Sequence, residues 1–209
     1  MKPIVIFGAA GQAKVAVEAI EQMRTHRIAG FVAESALGFA SPYPVLGADQ
    51  DVRRLWEDIG PFDAHVAVGD VAIRRRIVEQ LGRELASLEF PSIVHPLAKL
   101  AANAVIAPGA FVAIGAAVCA DAHVGRHAIL NTNASIDHDC VLGDFSFVGP
   151  NAALGGTVMV GEGAFIGLGA AILPNLRIGT DAIVAAGAVV VRDVADGVTV
   201  MGVPAQARS

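Results

Sequence analysis

The chain has 209 residues, 54% of them apolar and only 17% charged, with a net charge of −5. That is enough apolar content for a buried core and too little charge for a disordered chain, and the acidic balance offers nucleic acid no basic surface. No apolar run approaches the roughly 18 residues that a membrane span requires. The first residues, MKPIVIFGAAGQAK, lack the hydrophobic core of a signal peptide and read as a strand and a turn. Cys119 and Cys140 are too few for a disulfide framework, which suits a reducing cytoplasm, and with no CxxC pair no metal site is expected.

In chain order, Ile4–Phe7 reads as a strand, Gly8 to Gly11 as a turn, and Ala13–Met23 as a helix by its apolar spacing. Further strands are expected at Ile28–Ala33, at Ala64–Val68 and near Leu88–Ile93, and helices near Asp49–Asp58 and over Val71–Leu81. Strands alternating with helices imply a small parallel sheet, an α/β N-terminal domain of Rossmann-like type over residues 1–90. In its first turn, Gly8 and Gly11 permit close backbone approach, and the helix that follows offers its N-terminus to an anion. A plain strand–helix turn has the same signature. The full G-x-G-x-x-G is absent, which argues against a redox dinucleotide. Arg74, Arg75 and Arg76 read as the solvated face of a helix, with reach toward a phosphate as the other reading.

From Val94 the period changes. Every sixth residue through Val190 is Ile, Leu or Val, seventeen positions without a break. Four residues after each stands alanine, except at Cys140, Ser146, Val158, Leu176 and Val194. A fixed hexapeptide period marks a solenoid whose repeats bury their apolar residues only by stacking. This pattern resembles the hexapeptide-repeat acyltransferases, and the resemblance implies an all-β left-handed parallel β-helix, three hexads to a coil, over residues 91–209 with a C-terminal tail.

With an eighteen-residue coil, the third position of each hexad falls at a corner, and residues eighteen apart stack at about 4.8 Å. One corner column reads Ala102, Ala120, His138, Gly156, Pro174, Arg192; the second reads Pro108, Arg126, Asp144, Glu162, Thr180. The third reads Pro96, Ile114, Thr132, Pro150, Leu168, Ala186, Pro204. His138, between Asp137 and Asp139, is therefore expected on an outward corner beneath Gly156. A base beside an accessible backbone amide is the pairing that acyl transfer needs: one accepts a proton and the other binds an oxyanion. Asp139 is placed to hold the imidazole tautomer. Asp137-His138-Asp139 reads equally as a polar turn on a solenoid edge. His26 and His65 fall beside elements of the first domain, His95 precedes a proline, and His123 and His127 read as surface or subunit-contact residues.

The succession "IVIFGAAGQAKVAVEAI", "VAVGDVAIRRRI", "SIVHPLAKLAANAVIAPGAFV", "NTNASIDHDCVLGDFSFVGPNAALGG" and "GVPA" is similar to the NeuD/PglD-type sugar acetyltransferases over nearly the whole chain. The resemblance implies a cytoplasmic homotrimer that uses acetyl-CoA and a nucleotide-linked amino sugar. It implies His138 as general base, Asp139 as its partner and Gly156 as the oxyanion donor. It places acetyl-CoA between subunits, against Gly156, Leu168, Ala186 and Gly187, with the adenine end near Val203 and Pro204. It places the nucleotide of the sugar against Gly8, Gly11, Gln12, Glu34, Gly69 and Asp70. Two departures stand out: the family usually has histidine where Phe147 stands, and often where Gln12 stands. The expected activity is N-acetylation of the 4-amino group of a nucleotide-linked 4-amino-4,6-dideoxy sugar by direct attack. O-acetylation of a sugar such as sialic acid, or a non-catalytic solenoid that binds nucleotide sugar, are the alternatives.

Overall fold

A computed structural model describes residues 1–34 and 38–208. The chain divides into two compact units, Met1–Pro96 and Leu97–Ser209.

The first unit is the α/β domain. Strands β1 (Lys2–Phe7), β2 (His26–Val32), β3 (Val45–Gly47) and β4 (Asp63–Val66) form a parallel sheet in the order β3-β2-β1-β4. Helix α1 (Gly11–Met23) buries Ala13, Ala16, Ala19 and Ile20, which recur at three- and four-residue spacing and so share one face. It ends where Arg24 turns left-handed and its N–H bonds the carbonyl of Ile20. Helices α2 (Val52–Ile59) and α3 (Val71–Glu84) bury Leu55, Ile77 and Leu81 in a core with Val5, Phe7, Val32 and Phe62. The chain runs from β1 to β2 on one side and reaches β4 on the other, so the strand order reverses between β1 and β4. In open α/β sheets that reversal leaves a crevice at the carboxyl ends of the strands. The strand expected near Leu88–Ile93 shrinks to one bridge, Glu89 to Asp63, before a short strand at Ile93–Val94. Pro91 has no N–H to continue a ladder.

The second unit is a parallel β-helix. Each hexad contributes a two-residue strand that ends on the apolar first position, and strands stack in register eighteen residues apart: Ile136 pairs with Val118 on one side and Leu154 on the other. Three sheets result. Face one holds Val105–Ile106, His123–Val124, Val141–Leu142, Met159–Val160 and Arg177–Ile178. Face two contains Phe111–Val112, Ile129–Leu130, Phe147–Val148, Phe165–Ile166 and Ile183–Val184, and face three runs from Lys99–Leu100 to Val189–Val190. From Val112 to Val190 every first position is buried; Leu100, in the first coil, is 38% exposed.

Turns join the faces. At every sixth residue from Gly109 to Gly187 the backbone is left-handed, and Gly, Asn or Asp fills all those positions except His127, Phe145 and Thr157. Glycine and short polar side chains adopt that conformation at least cost.

After Val190 the coil shortens. Ile178 bridges Val194 and Val184 pairs with Val200, a separation of 200 − 184 = 16 residues. The expected eighteen-residue column of Ala186 under Pro204 is thereby corrected: the sixteen-residue step sets Gly202 over Ala186. Pro204 lies in the turn that brings Gln206–Ala207 back antiparallel on Thr199–Met201.

Two readings of surface residues are also corrected. Arg74 is 1% exposed and not on a solvated helix face. His127 is 3% exposed, stacked on Phe145 with ring centroids 5.2 Å apart, while His123 is exposed on its strand. No helix among the described residues is long and apolar enough to cross a membrane.

Candidate active site

His138 occupies the turn that follows Ser135–Ile136, at the corner between faces three and one. Its side chain and that of Asp139 are exposed, 58% and 57%. Asp139 is left-handed at φ 59°, a conformation its short polar side chain tolerates. Its Oδ2 lies 2.7 Å from Nδ1 of His138. That pairing assigns the proton to Nδ1, which donates to the carboxylate and leaves the Nε2 lone pair available. The hydrogen bond to Asp139 raises the imidazole pKa above its ordinary 6.5; the charge of Asp137 adds to the rise and desolvation opposes it.

Nε2 faces the next coil. A β-carbon built on Gly156 would lie 2.5 Å from Nε2 and 2.6 Å from Cε1 of His138. Glycine is therefore required at position 156 for the ring to sit where it does. Its N–H is also open. Four third-position amides are taken by carboxylates or amides: Asp137 Oδ1 accepts from His138 at 2.7 Å, Asn131 Oδ1 from Thr132, Asp144 Oδ1 from Arg126 and Asp196 Oδ1 from Thr180. Those of Ala102, Ala120 and Leu168 donate no hydrogen bond among the described residues, and what sets Gly156 apart is the imidazole beside it. Gly156 is preceded by Gly155 and topped by Pro174, neither of which carries an acceptor side chain. Its N–H donates no hydrogen bond among the described residues. A proton acceptor and an open amide thus stand side by side at one corner.

Face three adjoins that corner. Its outward residues Ser135, Ala153 and Ala171 are small and floor a groove of about 490 Å³, walled on the His138 side by Cys119, Asp137 and Leu173. The sequence reading missed this groove, although small residues at eighteen-residue spacing carry the signal. Asp137, named from the sequence only as a neighbour of His138, both caps the His138 amide and lends its charge to the ring. Neither cysteine is poised as a thiolate. Burial first, then Asp137, push the Cys119 thiol up, and burial does the same to Cys140, which is inside the prism.

Leu168, Ala186 and Gly187 are exposed on the opposite border of face three, the corner between faces two and three, and Val203 and Pro204 are exposed in the tail turn. They are not beside His138 in one chain. Phe147 stacks face to face on Phe165, 4.7 Å between centroids, on face two. Among the described residues no group of three or more His, Cys, Asp or Glu could hold a metal ion.

In the first unit, the residues singled out from the sequence gather at the carboxyl ends of β1, β2 and β4. Gly8 has φ 129°, and a β-carbon there would lie 2.7 Å from the carbonyl oxygen of Ala67, so the two loops that flank the strand-order reversal touch only because residue 8 is glycine. Helix α1 starts with no side-chain cap and no acid in its first turn, which leaves its amides and positive end available to an anion. Gly11 faces open space, and the buried amide nitrogen of Gln12 has no hydrogen-bond partner among the described residues. Glu34 is exposed after β2 and, behind burial as the larger cause, helps to raise the carboxyl pKa of Asp49. Asp70 caps α3 by accepting from Ile73 N–H at 2.9 Å.

Arg74 was the residue least legible from sequence. From inside the domain its Nη1 donates to the carbonyls of Val68, at 2.7 Å, and Gly69, at 3.0 Å. With those carbonyls turned inward, the trans geometry of the peptide turns the amides of Gly69 and Asp70 outward. Burial lowers the guanidinium pKa to about 10, which leaves it charged at neutral pH.

Residues 3–81 match the family model described as the PglD N-terminal domain. No curated protein sequence matches the chain. Among solved structures, PerB from Caulobacter crescentus in complex with CoA and GDP-perosamine is 37% identical over 100% of this chain and 98% of that one, with a TM-score of 0.92. The acetyltransferase domain of PglB from Neisseria gonorrhoeae in complex with acetyl coenzyme A is 33% identical over 99% of each chain, TM-score 0.92. WeeI from Acinetobacter baumannii is 25% identical over 100% of both, TM-score 0.88. An α/β domain joined to a hexapeptide β-helix, with matches of this extent, settles the family: the chain belongs to the NeuD/PglD-type sugar acetyltransferases.

Proposed function

We propose that this enzyme transfers the acetyl group of acetyl-CoA to the 4-amino group of a nucleotide-linked 4-amino-4,6-dideoxy sugar. The observation that carries the reading is the contact of His138 Nε2 with Gly156, whose N–H is open. In this mechanism the substrate amine attacks the thioester carbonyl directly. Its proton passes to Nε2, while the Gly156 N–H stabilises the oxyanion of the tetrahedral intermediate. As the intermediate collapses, the carbon–sulfur bond breaks, and the imidazolium returns its proton to the CoA thiolate. Asp139 holds the ring in the tautomer that this sequence requires. The ligands named for PerB and for the PglB domain, CoA with GDP-perosamine and acetyl coenzyme A, support the choice of both substrates.

The nucleotide is assigned to Gly8, Gly11, Gln12, Glu34, Gly69 and Asp70, around the crevice between β1 and β4. Acetyl-CoA is assigned to Gly156 together with Leu168, Ala186, Gly187, Val203 and Pro204. Because Leu168, Ala186 and Gly187 stand on a different corner from His138 and Gly156, the groove is completed when one protomer's corner meets its partner's, and a threefold ring is the closed arrangement. Light scattering after size exclusion tests this: a trimer is expected, and a monomer at micromolar concentration overturns it.

The central test is thiol release from acetyl-CoA in the presence of a panel of nucleotide-linked amino sugars, with mass spectrometry of the products. His138→Ala is expected to lower turnover by at least about a hundredfold while CoA binding persists. Undiminished turnover in that variant would remove His138 from the mechanism.

A further inference from the structure

The interior of the prism is not uniform at the corner that carries His138 and Gly156. In most coil turns the N–H of the fifth hexad position bonds the carbonyl three residues earlier: Ala122 to Cys119, Ala134 to Asn131 and Ala152 to Gly149 are examples. At the His138 corner this bond is present in the first two coils, Ala104 to Ala101 and Ala122 to Cys119. In the next three it is not made: Cys140, Val158 and Leu176 donate no such bond to Asp137, Gly155 and Leu173. These are three of the hexads whose inward fifth residue is larger than alanine. Ser146 and, in the shortened coil, Val198 keep the bond, so its loss at three successive coils belongs to this corner and is not a rule for every residue larger than alanine.

The carbonyl of Gly155, left without its turn partner, is taken from below. Cys140, fully buried, donates its S–H to that oxygen at 3.1 Å. The Gly155 carbonyl and the Gly156 N–H belong to one trans peptide and point in opposite directions. An inward carbonyl therefore fixes an outward amide. We propose that Cys140 and Val158 are positioning residues, which hold the Gly155–Gly156 peptide so that the Gly156 N–H faces the reacting carbonyl. Val158 keeps the turn open, and Cys140 anchors the carbonyl that the opening releases. This rests on the assignment of Gly156 as the oxyanion donor and goes beyond it by naming what aims the donor.

Alanine at either position is the residue that most other hexads carry, so Cys140→Ala and Val158→Ala suit the same coil. Each is expected to lower kcat about tenfold, because an oxyanion donor works only at its productive position. The KM for acetyl-CoA is expected to move little, and circular dichroism to be unchanged. Cys140→Ser restores a donor at the same place and is expected to restore kcat; a residue that merely filled space would not distinguish serine from alanine in this way. Wild-type rates for both alanine variants would overturn the proposal, as would a Cys140→Ser variant no better than Cys140→Ala. Should Cys140→Ala fail to fold, Val158→Ala decides alone. A wild-type protein inactive toward every acceptor would instead count against the parent reading.

Discussion

The α-carbon of Gly156 lies so close to His138 that any β-carbon there would sit 2.5 Å from Nε2. Gly156→Ala therefore cannot keep both the ring and the backbone in place. The backbone at 156 is not left-handed, so alanine brings no conformational penalty of its own, and the solenoid is expected to melt near the wild-type temperature. The ring gives way, because it is an exposed side chain and the backbone is part of a stacked coil. Turnover should fall about 10²-fold or more, the scale of a displaced general base. Comparing the melting temperature with kcat checks the prediction; a full rate with a shifted melting temperature would contradict it.

On the proposed mechanism, Asp139 sets the pH at which His138 works as a base. The hydrogen bond from Nδ1 to its carboxylate, with the charge of Asp137 behind it, raises the imidazole pKa above 6.5. A general base must be neutral, so kcat/KM is expected to fall as the pH drops through that raised value. Asp139→Asn keeps a hydrogen-bond acceptor and removes the charge. The acid limb of the profile should then move to lower pH, with a lower plateau because the tautomer is held less firmly. A limb that stays where it was would assign the titration to another group.

Direct attack predicts that no cysteine is needed as a nucleophile. Cys140 points into the prism, and both thiols are held above the ordinary cysteine pKa. The doubly substituted Cys119→Ala, Cys140→Ser protein, which retains the donor to Gly155, is expected to keep kcat within about threefold of wild type. Intact-mass spectrometry after mixing with acetyl-CoA should find no acetylated protein. A burst of free CoA equal to one per chain before steady turnover would speak for a covalent route.

The β-helix was legible because its signal is local and repeated: seventeen aliphatic residues six apart mark a solenoid, and the three-hexad coil that the resemblance implies put Gly156 over His138. The same arithmetic failed beyond Val190. There the step to Val194 shortens the coil by two residues, and alanine and valine serve as well in either register. The left-handed turn positions were not singled out from the sequence, although Gly, Asn or Asp fills all of them except His127, Phe145 and Thr157. Arg74 was misjudged for a different reason. Arginine in a helix is ordinarily solvated; here the packing of the domain buries it, and the carbonyls of Val68 and Gly69, in the loop just before its own helix, accept from it. A buried charge is retained where such partners satisfy it.

That last point yields a prediction for the nucleotide site. Arg74→Met keeps much of the side-chain volume but leaves the carbonyls of Val68 and Gly69 without their donor. The Val68–Asp70 loop should then lose the orientation that turns the amides of Gly69 and Asp70 toward the crevice between β1 and β4. GDP or UDP, whichever the wild type prefers, is expected to bind about tenfold or more weakly by calorimetry, the scale of a buried hydrogen bond to a charged group. The cost in stability should be felt in the first unit, because an unsatisfied buried carbonyl destabilises the loop whether or not ligand is present. Arg74→Lys, with a charge but a single point of donation in place of the guanidinium fork, should fall between the two. Acetyl-CoA affinity should be unchanged in both variants. Equal weakening of nucleotide and acetyl-CoA would mean that Arg74 supports the fold as a whole and has no special part in aiming this loop.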